Sequence, residues 1–298
     1  MRLGILGGTG FVGSRLVAAA KRRELDVFTG RRRDVNYLDV ARLRDWIAAQ
    51  SIDFLVNAAG FTGSPNVDAC ELQKPACLSG NAVLPGVVRA ACEAEGIPFA
   101  HVSSGCIYLG QKANGGGWKE DDPPNFSFRR DNCSFYSGCK ALGEEVLAGC
   151  QTCYIWRLRM PFDQRDGPRN YLSKLLRYER LLDARNSLSH LDDFAESCVQ
   201  CVRERLPFGT YNLTNPGSVT TRQVVQLLGR TLTPEREFRF FESEEQFMSV
   251  AAKTPRSNCV LDASKALAHG LPMRPIDEAM RDSIDQWQPD TRLRFASE

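Results

Sequence analysis

The chain has 298 residues, 43% hydrophobic and 25% charged, which excludes disordered, collagen-like and fibrous classes and implies one or two packed units at about 150 residues each. Lys+Arg 38 against Asp+Glu 36 leaves a net charge of +2, too balanced for a protein that binds nucleic acid through its phosphates. No apolar run approaches the roughly 18 residues of a membrane span, and Met1 leads straight into a short apolar strand rather than a signal peptide, so the expected location is the cytoplasm, with no membrane partner.

In chain order, period and composition predict strands at 3–6, 26–29, 54–57 and 99–103, separated by helices at 13–23, 41–50, 84–95 and 136–147. A fifth strand is predicted at 154–158. Strands alternating with helices of this length require crossover connections and a parallel sheet. The fold class is therefore α/β: a Rossmann-type doubly wound parallel sheet with a smaller C-terminal α/β lobe. Past Pro161 a polar loop at 163–168 precedes a helix at 171–178, a long amphipathic helix at 192–206 and a strand at 210–213. Helices at 221–228 and 276–287 follow. Residues 1–162 plus about 187–214 form the expected core domain, 163–186 and 215–287 the lobe, and 288–298 a loosely held tail.

Eleven cysteines cannot all pair internally, and in a cytosolic chain they are expected as reduced thiols. Cys150/Cys153 and Cys198/Cys201 have C-x-x-C spacing, but neither pair has the turn residues of a zinc knuckle, so no metal is expected. His101, His190 and His269 are scattered and build no hydrolase triad.

Gly7, Thr9, Gly10, Phe11, Val12 and Gly13 lie between the first strand and the first helix, where glycines permit a tight turn and let a pyrophosphate reach the helix N-terminus. The second strand ends at Gly30-Arg31-Arg32-Arg33, where an NAD-binding chain usually carries an acid. A guanidinium, Arg31 above all, suits a 2′-phosphate, so the expected cofactor is NADP (as NADPH).

Tyr136-x-x-x-Lys140 at a helix start places both side chains on one face. A free tyrosine has a pKa of about 10, and a neighbouring ammonium together with the positive nicotinamide ring should bring it toward neutral pH. With Ser104 at the end of the preceding strand the set forms a Ser-Tyr-Lys constellation: Tyr136 as proton donor to a carbonyl, Lys140 on the ribose, Ser104 on the substrate oxygen. Arg157, Arg159, Arg169 and Arg256 are candidates to clamp a diphosphate, since planar forks suit phosphate.

Asn57-Ala58-Ala59-Gly60, Asn66-Val67-Asp68, Ser104-Gly105-Cys106, Tyr136-x-x-x-Lys140, Pro168-Arg169-Asn170, Thr214-Asn215-Pro216-Gly217 and Pro255-Arg256-Ser257-Asn258 resemble the extended short-chain reductases of deoxysugar synthesis. Within them the chain is most similar to the plant-type nucleotide-rhamnose synthases, bifunctional 3,5-epimerase/4-reductases, over nearly its whole length to about Trp287. The resemblance implies an NADPH-dependent enzyme that converts a nucleotide 4-keto-6-deoxy-D-glucose, with UDP as the favoured nucleotide, to the nucleotide-L-rhamnose. It implies Asn57, Ala58 and Ala59 at the dinucleotide, and Asn66 and Asn170 with the arginines at the nucleotide sugar. By analogy with GDP-fucose synthase, Cys106 becomes an acid/base for epimerisation, and the plant-type counterpart lysine falls on Lys174. The alternatives are a 4-keto reductase without epimerase activity and a non-catalytic dinucleotide-binding subunit. A homodimer is the expected assembly.

Overall fold

Short apolar strands, each leading into a helix that turns one apolar face back, build a six-stranded parallel sheet. The computed structural model describes residues 1–64 and 66–290, so the tail expected from 288 lies outside the described residues beyond 290. Strand β1 (Arg2–Leu6), buried from Leu3 onward, lies between β2 (Asp26–Gly30) and β3 (Phe54–Asn57). Next to β3 run β4 (Phe99–Ser104) and β5 (Cys153–Leu158). Two short strands, β6 (Arg180–Leu181) and β7 (Arg185–Asn186), leave the sheet before β8 (Gly209–Asn212) returns to its edge. The order is β2-β1-β3-β4-β5-β8 with every pair parallel, and the winding reverses between β1 and β3. In such sheets ligands bind at the carboxyl ends of the strands flanking that reversal.

Helix α1 (Phe11–Arg22) follows β1 and α2 (Val40–Ala49) follows β2. After β3 come α3 (Ala69–Leu72), α4 (Lys74–Leu78) and a π-helical turn over Ser79–Val83 that runs directly into α5 (Leu84–Glu95). Helix α6 (Phe135–Glu145) follows β4 and is capped by the Ser134 hydroxyl, which accepts from Ser137 N at 3.2 Å. Past β5 lie α7 (Tyr171–Arg177) and α8 (Leu191–Arg203).

One face of the sheet buries Leu3, Phe54, Tyr154 and Trp156 under α1 and α8, through Leu16, Phe194 and Cys198. The other buries Leu55 and Phe99 under α2 and α5. Burial on both faces is why the central strands read as continuous apolar runs.

The remaining helices are α9 (Thr221–Thr231), α10 (Glu244–Val250), α11 (Ser264–Ala268) and α12 (Ile276–Asp285). A separate apolar cluster joins Leu172 and Leu175 of α7, Val224 and Leu228 of α9, and Met280 and Ile284 of α12. Beside it, β7 pairs antiparallel with β9 (Val219–Thr220), and β6 pairs parallel with β10 (Arg239–Phe240). Ala266 of α11 and Leu271 instead pack with the sheet core, beneath β8. All eleven cysteines are free thiols, and Cys198 and Cys201 are both buried on α8, consistent with apolar packing. Among the described residues no His/Cys/Asp/Glu group has the arrangement of a metal site, and no helix is long and apolar enough to cross a membrane.

Candidate active site

A cleft of about 1070 Å³ opens where β1, β3, β4 and β5 end, with the α7–α9–α12 cluster forming its far wall. Its first side is the glycine turn. Gly7 has φ +74°, and a Cβ on Gly13 would stand 2.1 Å from the Gly7 carbonyl oxygen, so no side chain fits where α1 leaves the turn. Helix α1 has no side-chain cap and no acid in its first turn, and Gly10, Phe11 and Val12 line the cleft. Its free N–H groups form a ready anion site, and the residues present fit a dinucleotide pyrophosphate. Thr9 is exposed beside them.

Asn57 is fully buried; its Oδ1 accepts from Ala59 N at 3.1 Å and its Nδ2 meets His101 Nδ1 at 3.1 Å. It shapes the turn while Ala58 and Ala59 face the cleft. Burial, and then the Lys140 charge, hold the His101 imidazole well below its ordinary pKa, so it packs neutral. Arg31 is exposed, and its carbonyl closes a turn by accepting from Asp34 N and Val35 N. Arg32 is the anchored neighbour, 6.0 Å over the Tyr37 ring with Nη2 donating to the Gly60 carbonyl at 3.3 Å on the cleft rim.

Ser104 ends β4, and its Oγ accepts from Cys106 N at 3.2 Å, capping a 3-10 turn over Gly105–Ile107. That cap turns the Cys106 side chain toward α6. Ser104, Cys106, Tyr136, Lys140 and Lys174 all line the one cleft. Lys140 is buried and donates from Nζ to the Val102 carbonyl at 3.2 Å. Burial lowers its pKa.

The protein's own groups do not depress Tyr136. Burial, and next the Cys106 thiol, push its hydroxyl well above the usual value, so the structure holds Tyr136 protonated, the form that donates. Burial also raises Cys106, against the pull of Ser104, Ser137, Arg159 and Lys140. Lys174 is lowered, first by burial and then by the Arg169 and Arg256 charges, which brings its amine closer to proton exchange near neutral pH.

Asn81, absent from the sequence-based set, also lines the cleft. It sits in the π-helical turn, fully buried, with Nδ2 donating to the Phe61 carbonyl at 2.6 Å and Oδ1 accepting from Phe61 N at 3.3 Å. It fixes the strand-end loop over the site; π-helical turns are frequent at functional positions.

The arginines divide. Arg256 grips Asp68 through two bonds of 2.7 Å, and Asn66 Oδ1 accepts from Asp68 N at 2.8 Å, tying the loop after β3 to the far wall. Burial opposes it, but the Arg256 bonds and charge hold the Asp68 carboxyl below its ordinary pKa. Arg169 donates to the Thr62 hydroxyl across the same gap.

Two expected substrate contacts are structural. Asn170 is fully buried, its Oδ1 capping α7 at Leu172 N and its Nδ2 bound to the Asp163 and Arg165 carbonyls, so it does not reach the cleft. Arg157 is buried against Glu144 on α6 at 2.6 Å and donates to Tyr108 OH at 3.0 Å, and it does not line the cleft. Arg157→Ala should therefore cost about 3–5 kcal/mol by stranding a buried carboxylate. Urea denaturation measures this; a loss below about 1 kcal/mol, the value of an exposed pair, would contradict the assignment.

Residues 1–288 match the RmlD substrate binding domain. The chain belongs to that family. As an RmlD-family protein it is 34% identical, over 229 residues, to the bifunctional dTDP-4-dehydrorhamnose 3,5-epimerase/dTDP-4-dehydrorhamnose reductase of Arabidopsis thaliana, covering 75% of this chain and 73% of that one. It is 31% identical over 266 residues to a trifunctional UDP-glucose 4,6-dehydratase/UDP-4-keto-6-deoxy-D-glucose 3,5-epimerase/UDP-4-keto-L-rhamnose-reductase of the same plant, covering 88% of this chain and 38% of the relative. The RmlD-family chain thus spans about two-fifths of the trifunctional protein. The UDP-rhamnose synthase of Acanthamoeba polyphaga mimivirus superposes with a TM-score of 0.88 at 24% identity, over 96% of this chain and 99% of that one. A Clostridium acetobutylicum dTDP-4-dehydrorhamnose reductase gives 0.81 at 20%, over 96% and 99%. These likenesses establish the Rossmann-like α/β fold.

Proposed function

We propose that this chain is an NADPH-dependent 3,5-epimerase/4-reductase that converts a nucleotide 4-keto-6-deoxy-D-glucose, with UDP as the nucleotide, to the nucleotide-L-rhamnose. The observation that carries the reading is the convergence on one cleft of a reductase set, Ser104, Tyr136 and Lys140, and two further proton carriers, Cys106 and Lys174. A reductase that acts only at C4 has no use for the second pair. The bifunctional plant relative and the mimivirus synthase support the same reading.

When bound, NADPH would supply the hydride for C4. For its binding, the α1 N-terminus and the glycine turn take the pyrophosphate, Ala58 and Ala59 border the dinucleotide, and Lys140 holds the ribose. Arg31 and Arg32 meet the 2′-phosphate. Ser104 orients the C4 ketone oxygen, and Tyr136, held protonated, gives it a proton as the alcohol forms. Epimerisation precedes reduction, because the ketone that acidifies C3 and C5 disappears on reduction. Cys106 and Lys174 exchange the ring protons from opposite faces. Arg169 and Arg256, next to Lys174, form the cationic end that suits the diphosphate.

The test is incubation with NADPH and either UDP- or dTDP-4-keto-6-deoxyglucose, with the product sugar identified by NMR. An L-rhamnose product from the UDP substrate is expected; a 6-deoxy-D-sugar would leave only the reductase. NADPH should also bind more tightly than NADH, and Arg31→Glu or Arg32→Glu should narrow the difference. Equal affinities in the unmodified protein, measured by fluorescence titration, would refute the 2′-phosphate assignment.

A further inference from the structure

Two buried cations at the cleft floor, Lys140 and Arg159, have no carboxylate within ion-pair distance among the described residues. Lys140 has a role beside Tyr136. Arg159 is expected at the diphosphate from the sequence, and its hydrogen bonds lead to the turn after β4. It follows Leu158, the register partner of Ser104, so it leaves the sheet beside the Ser104–Cys106 turn. Its Nη2 donates to Asn186 Oδ1 at 2.7 Å and to the Ser257 carbonyl, and the guanidinium also bonds the Cys259 thiol. Asn186 Oδ1 also accepts from Cys259 N at 3.0 Å, and Cys259 Sγ donates to the Gly105 carbonyl at 3.2 Å. Ser257 Oγ donates to the Tyr108 carbonyl at 2.6 Å. These bonds stitch the guanidinium to the turn that carries Ser104 and Cys106, while its Nε is buried without a partner.

Its charge acts on the same group of side chains, favouring ionisation of Cys106, Tyr136 and Tyr171. The cations that bear on Lys174, by contrast, are Arg169 and Arg256. Arg159 therefore sits with Ser104, Cys106 and Tyr136, whereas Arg169 and Arg256 stand on the Lys174 side of the cleft. A buried guanidinium without a counter-ion is costly unless an anion arrives during the reaction. A ketone is neutral when it binds and becomes anionic only once a neighbouring proton has left.

We propose that Arg159 is a catalytic residue that stabilises the enolate oxygen formed when a ring proton is removed beside the C4 ketone. The proposal rests on the epimerase half of the reading above. Cys106, once its thiol has given its proton to solvent against the burial that raises its pKa, takes the proton from the carbon; the C–H electron pair becomes the C=C bond, and the carbonyl π pair moves onto oxygen, toward the Arg159 guanidinium that lines the cleft. The Lys174 ammonium then delivers a proton to the opposite face of that carbon, the enolate pair forms the new C–H bond, and the ketone is restored. One proton has moved onto sulfur and one off nitrogen, with no change of oxidation state. Reduction needs Arg159 less, because Tyr136 neutralises the oxygen as the hydride arrives.

The test follows deuterium wash-in at C3 and C5 of UDP-4-keto-6-deoxyglucose in deuterated water, with oxidised NADP so that no hydride can move, alongside calorimetric titration with UDP. Arg159→Gln should slow wash-in on the order of 100-fold, the cost of one oxyanion donor, with UDP affinity within about threefold of the parent. Arg159→Lys keeps a charge in the fold and should show an intermediate loss, again with UDP binding retained, which covers the case in which the Gln variant fails to fold. Unchanged wash-in, or losses of wash-in and UDP affinity in proportion, would overturn the proposal, the latter returning Arg159 to the diphosphate. Absence of wash-in in the unmodified protein would instead overturn the epimerase reading, and the proposal with it.

Discussion

Tyr136→Phe should reduce substrate-dependent NADPH oxidation by roughly 100-fold or more, the contribution of a general acid, while NADPH binding stays within about threefold. The substitution removes one oxygen and nothing else that the fold uses. The ring packs against the buried Cys70, Cys77 and Cys139 cluster, and α6 keeps its Ser134 cap, so the glycine turn and Lys140 stay in place. What disappears is the proton that burial holds on the phenol. Stopped-flow absorbance at the NADPH band gives the turnover and fluorescence titration the binding. Turnover within about threefold of the parent would mean that another group, Ser104 being the nearest along β4, protonates the oxygen.

Cys106→Ser separates the two chemistries. A hydroxyl nearly preserves the volume of the thiol in its pocket with Ile107, Tyr108 and Leu261, and Ser104 and Ser137 stand by as hydrogen-bond partners. It is a far weaker acid than a thiol, so packing survives and proton transfer does not. Deuterium wash-in at the ring carbons should fall by about 100-fold or more, whereas an already epimerised 4-keto-L-rhamnose nucleotide should still be reduced within about threefold of the parent rate. Normal wash-in would reduce Cys106 to a packing residue and remove the main residue-level support for epimerisation.

Much of this site could be read from the chain because its chemistry sits at strand ends and helix starts, which leave local signatures. The glycine turn, Ser104 after an apolar run and Tyr136-x-x-x-Lys140 behind a serine cap are all short-range patterns, and α5 falls on its expected bounds of 84–95. Helix α8 stops at Arg203, short of the expected 206, because Arg205 adopts φ +52°. Strands β6, β7, β9 and β10 are two residues each, too short for any alternation to register. Arg157 and Arg159 look alike in sequence, and only Glu144, thirteen residues before Arg157, makes one of them structural. Asn170 is drawn inward by Asp163 in the same way. Asn81 leaves no sequence signature, because a π-helical turn inside a helical run has no composition of its own. Spacing reveals Lys140 beside Tyr136 but not the burial that, in the protein alone, holds the phenol protonated.

The central claim, that one cleft both exchanges ring protons and reduces the ketone, is tested most directly by a single reaction in deuterated water. The unmodified protein is given UDP-4-keto-6-deoxyglucose and NADPH, and the product is analysed by NMR. The account predicts an L-rhamnose nucleotide carrying deuterium at both C3 and C5. A reduced product that retains the D-configuration and carries no deuterium at those carbons would contradict it.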